Sequence, residues 1–135
     1  MIEGIDHIGI AVESIDKARR FYEALGLEVT AIEDVPQEGV RVAMIPVGAS
    51  RIELLEALRP DSPVARFLER RGEGLHHLCF ATGDIEVHDR ELRQAGATLV
   101  RERPTRGAEG CWVQFVHPRS AAGVLVELSQ GGHNT

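Results

Sequence analysis

Residues 5–29, IDHIGIAVESIDKARRFYEALGLEV, align without a gap on residues 75–99, LHHLCFATGDIEVHDRELRQAGATL. Ile5 falls on Leu75, His7 on His77, Ile15 on Ile85, Arg20 on Arg90 and Gly26 on Gly96. The copies also end alike. ASRIELLE (49–56) matches GVLVELSQ (123–130), which sets Glu53 on Glu127 after a gain of four residues in the second copy. Such self-similarity means two copies of one supersecondary unit, so the fold is whatever pairs them.

Each copy reads β-α-β-β-β. HIGIAV is short, apolar and rich in β-branched residues, which suits a strand. Ser14 then caps a helix in which Ile15, Ala18, Phe21, Tyr22 and Leu25 fall at helical spacing, and Gly26 stops it. Strands are expected over 27–35, 40–48 and 50–57, with VPQEG breaking the first from the second. The second copy repeats the pattern: strand 75–82, helix 84–96, then strands 97–105, 111–118 and 123–130. A short helix capped by Ser62 links the copies, and the tail GGHNT is expected to be loose. The predicted class is α+β. Two paired βαβββ modules, about 3–58 and 73–131, form a curved mixed eight-stranded sheet with helices outside, as one domain over residues 1–135.

With 135 residues the chain can bury a core, and its 43% apolar and 27% charged content is that of a soluble protein. A net charge of −6 argues against nucleic-acid binding, which needs a basic face. No apolar run is long enough for a membrane span, and the N-terminus shows no basic, apolar leader, so a cytoplasmic location is expected. Cys79 and Cys111 lie in apolar contexts without CxxC spacing and read as buried thiols.

The repeat also isolates the chemistry. Taken singly, His7 could be a satisfied half-buried histidine and Glu53 could point at water. Both residue types recur at the same places in the other copy, as His77 and Glu127. If the copies pair about a pseudo-two-fold, two imidazoles and two carboxylates converge. That set suits a divalent ion such as Co²⁺, Mn²⁺, Ni²⁺, Zn²⁺ or Fe²⁺, and leaves two octahedral positions for a bidentate substrate. His76 pairs with Asp6 rather than with a histidine, so it is expected on the opposite strand face. His88, His117 and His133 have no repeat partner; His88 and His133 are read as solvated. Arg101, Arg103, Arg106 and Arg119 gather basic charge in the second half, where guanidinium groups suit phosphates. Ser120, in the HPRSAAG loop, is a weaker candidate.

Paired βαβββ units with this His…Glu/His…Glu pattern resemble the vicinal oxygen chelate (glyoxalase-like) superfamily. IDHIGIAV, VPQEGVRVAMIPVG, RIELLEAL, SPVARFLERRGEGLHHLCF and GCWVQFVHPRSAAGVLVELSQ resemble its methylmalonyl-CoA epimerase family more closely, along nearly the whole chain. The resemblance implies an isomerase acting on an acyl-CoA substrate, with His7, Glu53, His77 and Glu127 as metal ligands. It implies Glu127 as ligand and base, cobalt first among the ions, and a homodimer. It also implies a second acid/base glutamate, whose position here is Val42, a side chain that cannot carry a proton. A lactoylglutathione lyase (glyoxalase I) using the same four ligands is the alternative. A metal-free binding module is disfavoured by the intact ligand set. An oxygen-activating dioxygenase, which expects one carboxylate in its triad, is disfavoured by Glu53.

Overall fold

The computed structural model describes residues 1–107 and 110–131. The chain divides into two compact units, His7–His76 and a unit of Met1–Asp6 with His77–Thr135. Each divide falls inside a strand, so each unit is completed by the end of a strand from the other copy.

In the first unit β1 (Ile2–Ala11, from His7 on) runs parallel to β4 (Ser50–Ala57), with β3 (Val40–Val47) antiparallel to β4 and β2 (Ala31–Val35) antiparallel to β3. Helix α1 (Ile15–Ala24) starts where Ser14 Oγ accepts the Lys17 N–H at 3.2 Å. Its Ile15, Ala18 and Tyr22 pack on Val12, Ala43, Ile45 and Leu54, a cluster with no more than 4% exposure among its buried members. The other sheet face is covered at one end by α2 (Pro63–Arg71), which places Val64, Phe67 and Leu68 on Ala11, Val40, Val42 and Leu55. Ser62 caps α2 through the Ala65 N–H, as its sequence position suggested.

In the second unit β5 (Gly74–Thr82, from His77 on) is parallel to β8 (Leu125–Gln130), with β7 (Trp112–Val116) antiparallel to β8 and the two-residue β6 (Thr105–Arg106) on β7. Helix α3 (Ile85–Gln94) is capped by Asp84. The N-terminal residue closes this unit: its carbonyl accepts the Thr82 hydroxyl at 3.1 Å and the Gly83 N–H at 3.3 Å.

The β-α-β-β-β order therefore holds in both copies. The strands expected over 111–118 and 123–130 are shorter, at Trp112–Val116 and Leu125–Gln130, and two others depart further. The strand expected over 27–35 begins only at Ala31, because the Leu27 N–H stays with the helix end, on the Tyr22 carbonyl. The strand expected over 97–105 breaks in the middle. Thr98–Val100 bonds to the end of β7, but the Arg101 N–H turns to the Gln114 side chain, and the ladder resumes at Thr105. Gln114 is fully buried and supplies bonds the missing ladder would have made. The expected loose tail and the solvated His133 lie largely outside the described residues. No helix of the described chain is long and apolar enough to cross a membrane.

Candidate functional site

A strand presents every second residue to one face. On β1 and β4 that rule brings His7, Arg51 and Glu53 together, because His7 is in register with Arg51 and Gly9 with Glu53. Gly9 adds no side chain between them. His7 Nε2 lies 3.6 Å from Glu53 Oε1, and the two side chains are 8% and 11% exposed. Arg51 Nε donates to the other carboxylate oxygen, Oε2, at 2.8 Å.

The second unit repeats the pair. His77 Nε2 lies 3.5 Å from Glu127 Oε1, at 10% and 14% exposure. In register, Leu125 is beside His77 and Cys79 is beside Glu127, while Phe115 of β7 faces Glu127 as Met44 of β3 faces Glu53. Both pairs sit just beyond hydrogen-bonding distance. Two donors each ~2.1 Å from one ion at a right angle would stand ~3.0 Å apart, so each pair is close to the spacing a divalent ion needs. Neutral imidazole and carboxylate are also the donor types such ions take. The residues fit a metal.

The remaining candidates fall elsewhere. His76 sets its ring against Phe67 of α2, centroids 5.0 Å apart, and burial holds its pKa below the usual histidine range. Val42, 7% exposed, packs with Ala11, Leu55 and Val64 and does no acid–base chemistry. His88 departs from its solvated reading: its Nε2 is enclosed and without a hydrogen-bond partner. It stands one turn after buried Ile85 and next to buried Asp89, on the inward stripe of α3. His117 caps the turn after β7, its Nδ1 accepting the Arg119 N–H at 3.0 Å. Ser120 Oγ is spent on the Thr98 N–H at 2.8 Å, a loop bond. Arg101 and Arg106 stack on the rings of Phe115 and Trp112, at 4.9 and 4.4 Å, and Arg103 is an exposed neighbour of Glu102. Cys79 and Cys111 are buried, as expected, and Cys79 Sγ donates to the Phe80 carbonyl at 3.8 Å. Arg51 was not singled out from the sequence. The signal was there, since RIE puts a cation two residues before a candidate ligand on one strand face.

Residues 6–115 match the family described as the Glyoxalase/Bleomycin resistance protein/Dioxygenase superfamily. The chain is 43% identical over 127 residues to the uncharacterized protein YqjC of Bacillus subtilis (strain 168), covering 93% of this chain and 91% of that one. It is 41% identical over 133 residues to the ethylmalonyl-CoA/methylmalonyl-CoA epimerase of Cereibacter sphaeroides, covering 96% and 99%. Among solved structures, a variant of the Streptomyces coelicolor methylmalonyl-CoA epimerase in complex with 2-nitronate-propionyl-CoA superposes with a TM-score of 0.89, at 38% identity, over 98% of this chain and 99% of that one.

Proposed function

Because the chain belongs to the Glyoxalase/Bleomycin resistance protein/Dioxygenase superfamily, we propose that it is an epimerase interconverting (R)- and (S)-methylmalonyl-CoA at one metal held by His7, Glu53, His77 and Glu127. The observation that carries this reading is the duplicated pair: an imidazole and a carboxylate 3.6 Å apart in one unit and 3.5 Å apart in the other. Identity of 41% to an epimerase of this substrate, over 99% of that protein's length, supports the same substrate class. The nitronate of the Streptomyces complex is a planar delocalised anion, the shape an α-carbanion takes next to a thioester carbonyl.

Epimerisation breaks the Cα–H bond between a thioester and a carboxylate, leaves its electron pair delocalised as an enolate, and returns a proton to the opposite face. The α-proton is too weak an acid for an unaided carboxylate. A divalent ion, Co²⁺ by preference, supplies Lewis-acid stabilisation of the charge that develops on the thioester oxygen. His7 and His77 supply neutral donors from strand faces where burial excludes bulk water. Glu127 is a carboxylate with two oxygens, which suits it both to hold the ion and to accept the α-proton.

The test is exchange. Metal-loaded protein is incubated with each methylmalonyl-CoA epimer in D₂O. Deuterium is expected at Cα of both epimers, with interconversion, and none is expected with His77→Ala. A folded, metal-loaded protein that exchanges nothing would sink the assignment, and the hemithioacetal of glutathione would then be the substrate to try.

A further inference from the structure

The strand that follows α3 breaks at Arg101, and the break turns this side chain onto the sheet face that carries Glu127. Thr105 is in register with Val113 of β7, Phe115 stands two residues further along β7, and Phe115 is in register with Glu127 of β8. Register partners and alternate residues share a face, so Thr105, Val113, Phe115 and Glu127 line one side of the second unit's sheet. Arg101 touches two of them. Its Cζ stands 4.9 Å from the centroid of the Phe115 ring, and its Nη1 donates to Thr105 Oγ1 at 2.6 Å. The backbone beneath is held as firmly. The Arg101 N–H donates to Gln114 Oε1 at 3.2 Å, and its carbonyl accepts from Gln114 Nε2 at 3.0 Å and from Arg93 Nη2 at 2.8 Å. A half-buried guanidinium is thereby fixed one strand away from the carboxylate that lies 3.5 Å from His77 Nε2.

We infer that Arg101 binds the free carboxylate of the acyl-CoA substrate and so selects malonyl-type thioesters over simple acyl ones. This rests on the reading of His77 and Glu127 as ligands of the ion at which the thioester reacts. A thioester held there brings the carboxylate on its α-carbon to the Phe115 side of Glu127. The CoA phosphates stand at the far end of the pantetheine arm, so the carboxylate is the anion closest to this guanidinium. The planar fork of arginine matches a carboxylate through two N–H groups, and the bond to Thr105 uses only one of several. The ring beneath and the bonds to Gln114 and Arg93 order the group before substrate arrives, which lowers the entropy lost on binding. The contact also serves the reaction. A carboxylate beside the α-carbon opposes the negative charge that develops when the proton leaves, and a guanidinium on that carboxylate offsets the repulsion.

Propionyl-CoA tests this directly, because it has the same CoA and acyl chain and lacks only the carboxylate. Metal-loaded parent, Arg101→Gln and Arg101→Lys are titrated calorimetrically with methylmalonyl-CoA and with propionyl-CoA. Arg101→Gln is expected to bind methylmalonyl-CoA about 10- to 100-fold more weakly, the range for losing a hydrogen bond to a charged group. Its affinity for propionyl-CoA is expected to stay within about twofold of the parent. Arg101→Lys, which keeps the charge and loses the fork, is expected to recover part of the difference. If Arg101→Gln fails to fold, Arg101→Lys alone should show a selective loss of about three- to tenfold. Equal weakening for both thioesters would place Arg101 on the CoA phosphates and overturn the inference. Unchanged binding of both in the folded variants would reduce Arg101 to a cover for Phe115 and overturn it as well, with the epimerase reading left standing. A parent that binds neither thioester would overturn that reading and this inference together.

Discussion

Gln114 Nε2 donates to Asp89 Oδ2 at 2.8 Å, joining the middle of β7 to α3 through an amide with no exposed surface. The same amide accepts the N–H groups of Arg101 and Phe115 at 3.2 and 2.8 Å and donates to the Arg101 carbonyl at 3.0 Å. One side chain therefore satisfies the backbone where the strand expected after α3 gives out. Gln114→Leu, close in size, removes all four bonds and strands buried polar groups that each cost ~1–3 kcal/mol unpaired. Urea unfolding should show a loss of ~2–4 kcal/mol. A loss under ~1 kcal/mol would mean that water replaces the amide without strain.

The acid side of the stability curve should report Asp89. Burial pushes its pKa up, but hydrogen bonds from Arg93 and Gln114, with the Arg93 charge, outweigh that and hold it below the usual carboxylate value. The folded state thus binds this proton more weakly than the unfolded chain, whose aspartate titrates near ~3.9. The contribution is full above that pH and is lost as pH falls through the folded value. Asp89→Asn should therefore destabilise the protein at pH 7, and the gap between variant and parent should close as pH is lowered toward 3. A gap constant with pH would show that the charge of Asp89 contributes nothing.

How far the sequence alone reaches can be judged from particular residues. The apolar periodicity and the caps Ser14 and Ser62 are local signals, and the helices they predict are present. The recurrence of His7 and Glu53 as His77 and Glu127 picked out two pairs that do lie side by side, because strand register follows from the repeat. What stayed hidden is non-local. ATLVRERPT has strand-like composition, and only the Gln114 side chain, 13 residues on from Arg101, shows why it breaks. His88 looked solvated because one turn of helix does not say which flank is enclosed. Arg51 was passed over although RIE puts it on the strand face of Glu53; the β1–β4 register is what sets it beside His7.

Gly39 should tolerate no side chain. It sits at φ 67°, in the left-handed region, and a Cβ built there would come within 2.8 Å of Ser62 Cβ and 3.0 Å of Arg59 Cζ. Ser62 is fully buried at the start of α2, so it has little room to give. Backbone strain of ~1–2 kcal/mol and overpacking of ~1–3 kcal/mol together predict a loss of ~2–4 kcal/mol for Gly39→Ala in thermal or urea unfolding. Gly26 shares the positive φ but has open space around its Cβ, so Gly26→Ala should lose only the strain part. Equal losses at the two sites would refute the contact between Gly39 and Ser62 as the cause.

Glu127→Gln separates the two roles proposed for that residue. An amide oxygen can still ligate an ion, but glutamine cannot take up a proton at neutral pH. Phe115 and Cys79, its register neighbours, contribute no carboxylate from the matching positions. The variant should retain metal in the purified protein while α-deuterium incorporation drops by a factor of about 10²–10⁴, the range a positioned acid–base group contributes. Glu53→Gln should behave differently: metal binding weakens because Arg51 loses its ion-pair partner, and exchange per bound metal stays near the parent value. Reversed behaviour, with exchange per metal lost at position 53 and kept at position 127, would move the base from the second unit to the first.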